Sequence, residues 1–105
     1  MIEVSKTYDL VPGVDQQAYL EFSKRALAVM LKAPGIVEIR AYRSLLGSPH
    51  VRLTLLWQTL ADWAKFAESP ERHILDSELF KFATHVRLEI WGPSPAVPEP
   101  LRPGK

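Results

Sequence analysis

Residues 36–58 read IVEIRAYRSLLGSPHVRLTLLWQ. Two alternating runs flank a short break. In the first, Val37, Ile39 and Ala41 share one face, and Glu38, Arg40 and Tyr42 share the other. In the second, Val51, Leu53, Leu55 and Trp57 oppose Arg52, Thr54, Leu56 and Gln58. A period of two marks a strand with one buried face. Between them, Leu46-Gly47-Ser48-Pro49-His50 holds the residue types that end strands and make turns. The stretch predicts an antiparallel hairpin over 36–43 and 51–58.

Upstream, Pro34-Gly35 is a stop, and the residues before it repeat at steps of three and four. Tyr19, Phe22, Ala26, Val29 and Met30 form the apolar stripe of an amphipathic helix, with Asp15 where an N-cap belongs. Before that helix, Ile2, Val4, Tyr8 and Leu10 alternate with Glu3, Ser5, Thr7 and Asp9, interrupted on the apolar side by Lys6. This is a further strand, closed by Pro12-Gly13. Downstream of the hairpin, Thr59 caps a helix carrying Trp63, Phe66 and Ala67. Ser69-Pro70 caps a second helix, or a continuation, whose stripe of Ile74, Leu75, Leu79, Phe82 and Ala83 predicts a run to about Thr84. Val86 to Trp91 alternates again and ends at Gly92-Pro93. The order is strand, helix, strand, strand, helix, strand. It predicts an α+β, ferredoxin-like βαββαβ domain over residues 1–92, with an antiparallel four-stranded sheet and both helical segments on one face.

The chain has 105 residues, 47% of them hydrophobic and 24% charged, with a net charge of +1. That is the composition of one globular domain. The near-zero charge and the lack of aromatics set in a basic stripe give no reason to expect nucleic acid. No apolar run approaches a bilayer span and no leader pattern opens the chain, so no membrane partner is expected and the expected location is the cytoplasm. Cysteine is absent, which removes thiolate ligands and thiol nucleophiles. His50, His73 and His85 fall on different elements without ligand spacing, so no metal is expected. Residues 93–105 hold Pro93, Pro95, Pro98, Pro100 and Pro103. They read as a polyproline-like tail, either frayed or laid along a partner subunit with Val97 and Leu101 as anchors.

The reverse face of the sheet carries Leu56, Tyr42 and Trp91 among paired glutamates and arginines. Those side chains are large for a face given only to water. A homodimer packed sheet to sheet is expected, with a solvated monomer face as the alternative.

Two segments carry a family resemblance. They are Ala33-Pro34-Gly35-Ile36-Val37-Glu38, and Trp57-Gln58-Thr59-Leu60-Ala61-Asp62-Trp63 leading into Glu68-Ser69-Pro70. Over residues 2–91 the chain resembles the antibiotic biosynthesis monooxygenase-like group of the dimeric α/β barrel superfamily. The resemblance implies two ferredoxin-like chains pairing their sheets into a barrel, with a pocket in each subunit between helices and sheet. That group includes cofactor-free oxygenases of aromatic polyketides and haem-degrading enzymes. Both branches use an asparagine, and this chain has none, so haem degradation is not expected. Trp63 and His73 stand ten residues apart, as the haem branch's Trp and His do, whereas counting from Trp57 puts Phe66 at the family tryptophan position.

The resemblance implies oxidation of an electron-rich aromatic substrate without a cofactor. The chemistry requires a dry pocket, a base and donors near a developing oxyanion. His73 is the candidate base because imidazole titrates near neutrality. Tyr42 and Arg40 are candidate charge stabilisers, although strand parity sets them opposite the core face. Trp57, Trp63, Phe66, Phe80 and Tyr19 read either as the walls of a pocket for a small aromatic ligand or as plain core. A non-catalytic binding or structural dimer is the alternative function.

Overall fold

The structure is a computed structural model, which describes residues 1–104. It contains strand β1 (Ile2–Leu10), helix α1 (Gln16–Leu31), hairpin strands β2 (Ile36–Arg43) and β3 (Val51–Trp57), helices α2 (Leu60–Ala67) and α3 (Pro70–Leu79), and strand β4 (Ala83–Trp91). The sheet order is β2-β3-β1-β4 and every pairing is antiparallel. This is the ferredoxin-like βαββαβ arrangement, with the second helical segment broken into α2 and α3.

Each helix starts where a side chain takes up an orphan backbone donor. Asp15 accepts from the Ala18 N–H, Thr59 from Asp62 and Ser69 from Arg72. Pro70 then occupies the first turn of α3, where its missing N–H costs nothing. These caps explain why one apolar stretch folds as two helices.

The helices cover the sheet face that carries Val4, Tyr8, Leu55 and Trp57. Val4 and Trp57 are wholly enclosed. Phe82 packs between α1 and the sheet end, with its ring 5.6 Å from Phe22 and 5.9 Å from Tyr19. Arg25 on α1 and Glu78 on α3 close a two-pronged ion pair across the helices at 3.2 and 2.9 Å.

Two boundaries and one strand register differ from the sequence expectation. Helix α3 ends at Leu79 rather than near Thr84, and β4 starts at Ala83 rather than Val86. Phe82 and Ala83 sit at helical spacing, but the pairing of Leu10 with Ala83 and Asp9 with Thr84 draws them into the sheet. The register then shifts between Thr7 and Asp9, and His85 takes φ 55° at the irregularity. In β2 the register shifts between Ile36 and Glu38, so Val37 is the extra residue and faces solvent. Ile36, not Val37, sits opposite Trp57. Residues 93–104 are exposed, with one bridge among them between Ser94 and Val97. Among the described residues no helix is long and apolar enough to cross a membrane.

Gly35 joins α1 to β2 with φ +91°, and a Cβ there would collide with the side chain of Asp62. Its carbonyl also accepts from the Gln58 N–H at 2.8 Å. Gly35→Ala therefore meets both backbone strain and a steric block. It is expected to lower unfolding free energy by about 1–3 kcal/mol. Urea titration checks this, and an unchanged midpoint would show that the junction is not as tight as described.

Candidate functional site

A cavity of about 110 Å³ lies between the helices and the sheet. Val4, Tyr8 and Leu55 form part of its floor, and Tyr19, Phe22 and Met30 of α1 part of its roof. Trp63, Phe66 and Leu75 enclose it from α2 and α3. Most of this lining is apolar because it is the inward face of an amphipathic layer. An apolar void of about 150 Å³ holds benzene, so this one suits a single ring.

Two polar groups interrupt the wall. The first is a tyrosine pair: the hydroxyls of Tyr8 and Tyr19 lie 2.6 Å apart, with their rings edge to face. In such a pair one hydroxyl donates to the other, and the acceptor's own proton is left to point elsewhere. Burial pushes the Tyr8 phenol far above its ordinary 10.0, and the bond to Tyr19 pushes it further. The charge of Arg43 pulls the other way without prevailing. Tyr8 therefore keeps its hydroxyl proton at any physiological pH.

The second group is ionic. Lys6 projects from the middle of β1 onto the helix side, and its Nζ donates to Asp76 Oδ1 at 3.2 Å. Arg72, one turn earlier on α3, holds Asp76 Oδ2 through Nε at 2.7 Å. The same guanidinium donates through Nη1 to the Ala67 carbonyl at 3.2 Å and lies 5.4 Å above the Trp63 ring. Two cations thus share one carboxylate at the cavity wall.

The residues singled out in the sequence divide into three groups. Tyr19, Trp63 and Phe66 line the cavity. Trp57 lies behind that wall, 6.0 Å from Trp63 and 5.5 Å from Phe66, and it packs as core. Its indole N–H has no partner among the described residues. Phe80 follows α3 with 63% of its surface exposed and is not part of the cavity wall.

The three candidates for chemistry lie elsewhere. His73 sits on the outer side of α3 in a shallow depression with Ile74, Ser77 and Lys81. It falls on the helix face turned from the sheet, so the geometry does not offer it to the cavity as a base. Arg40 and Tyr42 lie on the reverse face of the sheet, as strand parity requires. Arg40 pairs there with Glu38 at 3.0 Å, and the guanidinium of Arg52 lies over Tyr42. His50 and His85 flank Asp9 at 3.7 and 3.3 Å, at the far end of β1. The Ser48 hydroxyl donates to the same carboxylate and lowers its pKa more than either histidine does.

Lys6, Asp76, Arg72 and Tyr8 are the residues that sequence reasoning did not put in a site. One signal was present, since Lys6 is the only charge on the inward face of β1. Its partner lies 70 residues away. Arg72 pairs with the same acid, one turn further along α3.

No protein-family model matches the sequence, and no curated protein does. Solved structures do match. SnoaB, a cofactor-independent oxygenase from Streptomyces nogalater, superposes with a TM-score of 0.73 at 12% identity, over 93% of this chain and 97% of that one. A protein from Deinococcus radiodurans, described as a candidate antibiotic biosynthesis monooxygenase, gives 0.78 at 13% identity over 100% of both chains. A dimeric protein of unknown function with a ferredoxin-like fold, from Bacteroides fragilis, gives 0.65 at 16% identity, over 86% of this chain and 93% of that one. These likenesses show the fold that the sequence resemblance implied.

The tyrosine pair has a direct spectroscopic consequence. While the protein stays folded, raising the pH ionises no more tyrosine in the wild type than in Tyr8→Phe. Ultraviolet difference titration reads this, and an extra phenolate in the wild type would refute the buried assignment. The native state holds the Tyr8 proton where the unfolded chain releases it. Stability from this group is thus fully present below pH 10.0, the ordinary phenol value, and falls as pH rises beyond it.

Proposed function

We propose that this chain is a homodimeric, monooxygenase-like protein that binds an electron-rich aromatic ring in the cavity and oxygenates it without a cofactor. The observation that carries the reading is the apolar cavity under the helices with a hydroxyl donor in its wall. Support comes from the fold shared with a cofactor-independent oxygenase.

An anthrone-type substrate illustrates the reaction class. Its ring CH2 loses a proton to water at the cavity mouth, leaving an enolate. The enolate gives one electron to O2, and the resulting radical and superoxide join through a new C–O bond. The peroxide then loses its remaining C–H proton, and the O–O bond breaks as the distal oxygen is protonated. The products are a carbonyl and one water. The carbon is oxidised by four electrons and O2 is reduced by four.

The chain's own contribution is environmental. The apolar wall excludes water and admits O2. The hydroxyl proton left over in the Tyr8–Tyr19 pair donates to the oxyanion as charge develops. High Tyr8 acidity would destroy that donor, and burial prevents it. One ring fits the cavity, and a larger substrate extends through the mouth.

A specific observation favours the second reading, a binding dimer without chemistry. Trp57, Trp63 and Phe66 pack on one another as a core would, and no imidazole faces the cavity. Oxygen-electrode measurements with anthrones and one-ring quinols decide between the two. The oxygenase reading expects uptake above the uncatalysed rate and a loss on the order of 100-fold in Tyr8→Phe. Background rates with retained ring binding would leave the second reading standing.

Self-association through the reverse sheet face follows from its composition. Trp91 is 57% exposed there, and Leu56 sits between Glu3 and Glu38 in the register. Stacking two such faces buries these side chains and lets glutamates meet arginines. Light scattering is expected to give twice the chain mass. Trp91→Glu, which replaces an exposed aromatic on that face with a charge, is expected to shift the mass toward one chain. A wild-type protein of single-chain mass at micromolar concentration would end the dimer proposal.

A further inference from the structure

The cavity and a second concavity are built from shared residues. A groove of about 350 Å³ runs between the C-terminal half of α3 and β4. Lys6, Arg72, Asp76, Leu79 and Leu88 line both the groove and the inner cavity. The ionic cluster is thus a wall common to both spaces. A ligand seated against that wall meets the Lys6 ammonium.

The charges there do not cancel. Lys6 and Arg72 bring two positive charges and Asp76 one negative. A purely structural ion pair on an inward sheet face would be neutral, because an uncompensated charge in a low-dielectric setting is unfavourable. Hydrogen bonding distinguishes the two cations. Arg72 is committed to Asp76, to the Ala67 carbonyl and to the Trp63 face. Lys6 has three donors, and among the described residues Asp76 is its one acceptor. Its side chain is 18% exposed at the groove wall, so those donors can take a second acceptor.

We propose that Lys6 receives the oxyanion of an aromatic ligand, which makes the preferred ligand an ionised phenol seated with its ring in the cavity and its oxygen at the groove junction. The proposal rests on the cavity being a ligand site, and it names the substrate form as the phenolate. Asp76 is the positioning residue, holding the ammonium across the junction from α3. His85 at the outer end of the groove is occupied with Asp9, 3.3 Å from its Nδ1. Lys6, Arg72, Asp76, His85, Tyr8 and Tyr19 are the charged or titratable groups that line the two spaces.

The test uses 4-nitrophenol, a one-ring probe whose phenolate is coloured, with 4-nitroanisole as its uncharged match. Bound 4-nitrophenol is expected to ionise about one pH unit lower than free probe, which is a tenfold preference for the phenolate. Binding of 4-nitroanisole, followed by Trp fluorescence, should be roughly tenfold weaker or more. Lys6→Met is expected to erase the shift, and Lys6→Arg to retain most of it. An unshifted or raised probe pKa in the wild type, or no binding, overturns the proposal without any variant needing to fold. The readout is independent of oxygen uptake. A shifted probe with no oxygenation would sink the oxygenase reading and leave the phenolate site in place.

Discussion

The arrangement of the helices turns on one charge in an apolar place. Lys6 lies at the centre of β1, the strand flanked by β3 on one side and β4 on the other, with Leu53 and Leu88 as its cross-strand neighbours. Its side chain points under the helices. An ammonium there is unfavourable by several kcal/mol unless an acid meets it. Asp76 is that acid, and it lies on the last two turns of α3. Satisfying Lys6 therefore fixes α3 over the sheet. It also fixes the angle at which α3 leaves α2, because Arg72 ties Asp76 back to the α2 carbonyl of Ala67.

The two sheet faces consequently have different chemistry and different proposed work. On the helix side, charge is scarce and paired within one cluster. On the reverse side it is plentiful, with Arg40 beside Glu38, Arg52 beside Glu3 and Arg87 beside Glu89. Such exposed pairs contribute little to stability singly. They suit a surface that must be soluble alone and complementary to its own copy. Arg40 and Tyr42 belong to that surface by strand parity, so a role for them in the same subunit's cavity would require a different register.

Much of the fold was legible from residue order. Asp15, Thr59 and Ser69-Pro70 marked the helix starts, and alternation marked all four strands, because caps and pleats are local rules. The start of β4 was not legible. Phe82 and Ala83 satisfy helical spacing from Leu75 and Leu79, and only the pairing of Ala83 with Leu10 moves them into the sheet. The site was legible in part for the same reason. Tyr19, Trp63 and Phe66 lie on apolar helix stripes and reach the cavity together. The Lys6–Asp76 contact spans 70 residues, and no local rule selects Asp76 over Glu68 or Glu71 as the acid near α3. His73 drew attention through its intrinsic pKa, yet its position on α3 turns it outward.

A fold selected for stability alone would have removed the features that meet at the junction. Filling a void of about 110 Å³ would recover on the order of 2–3 kcal/mol at about 24 cal/mol per Å³. Replacing the Lys6–Asp76–Arg72 cluster with apolar side chains of similar volume is often neutral or stabilising in such settings. The tyrosine pair, too, keeps two hydroxyls in a layer where phenylalanine would pack. Each feature is tolerable separately, because stability thresholds leave room for small losses. Their convergence on one cavity is harder to explain by tolerance. The void supplies room for a ring, the tyrosines a neutral donor and Lys6 a cation with donors to spare, and the last two favour an aromatic oxyanion over an uncharged ring.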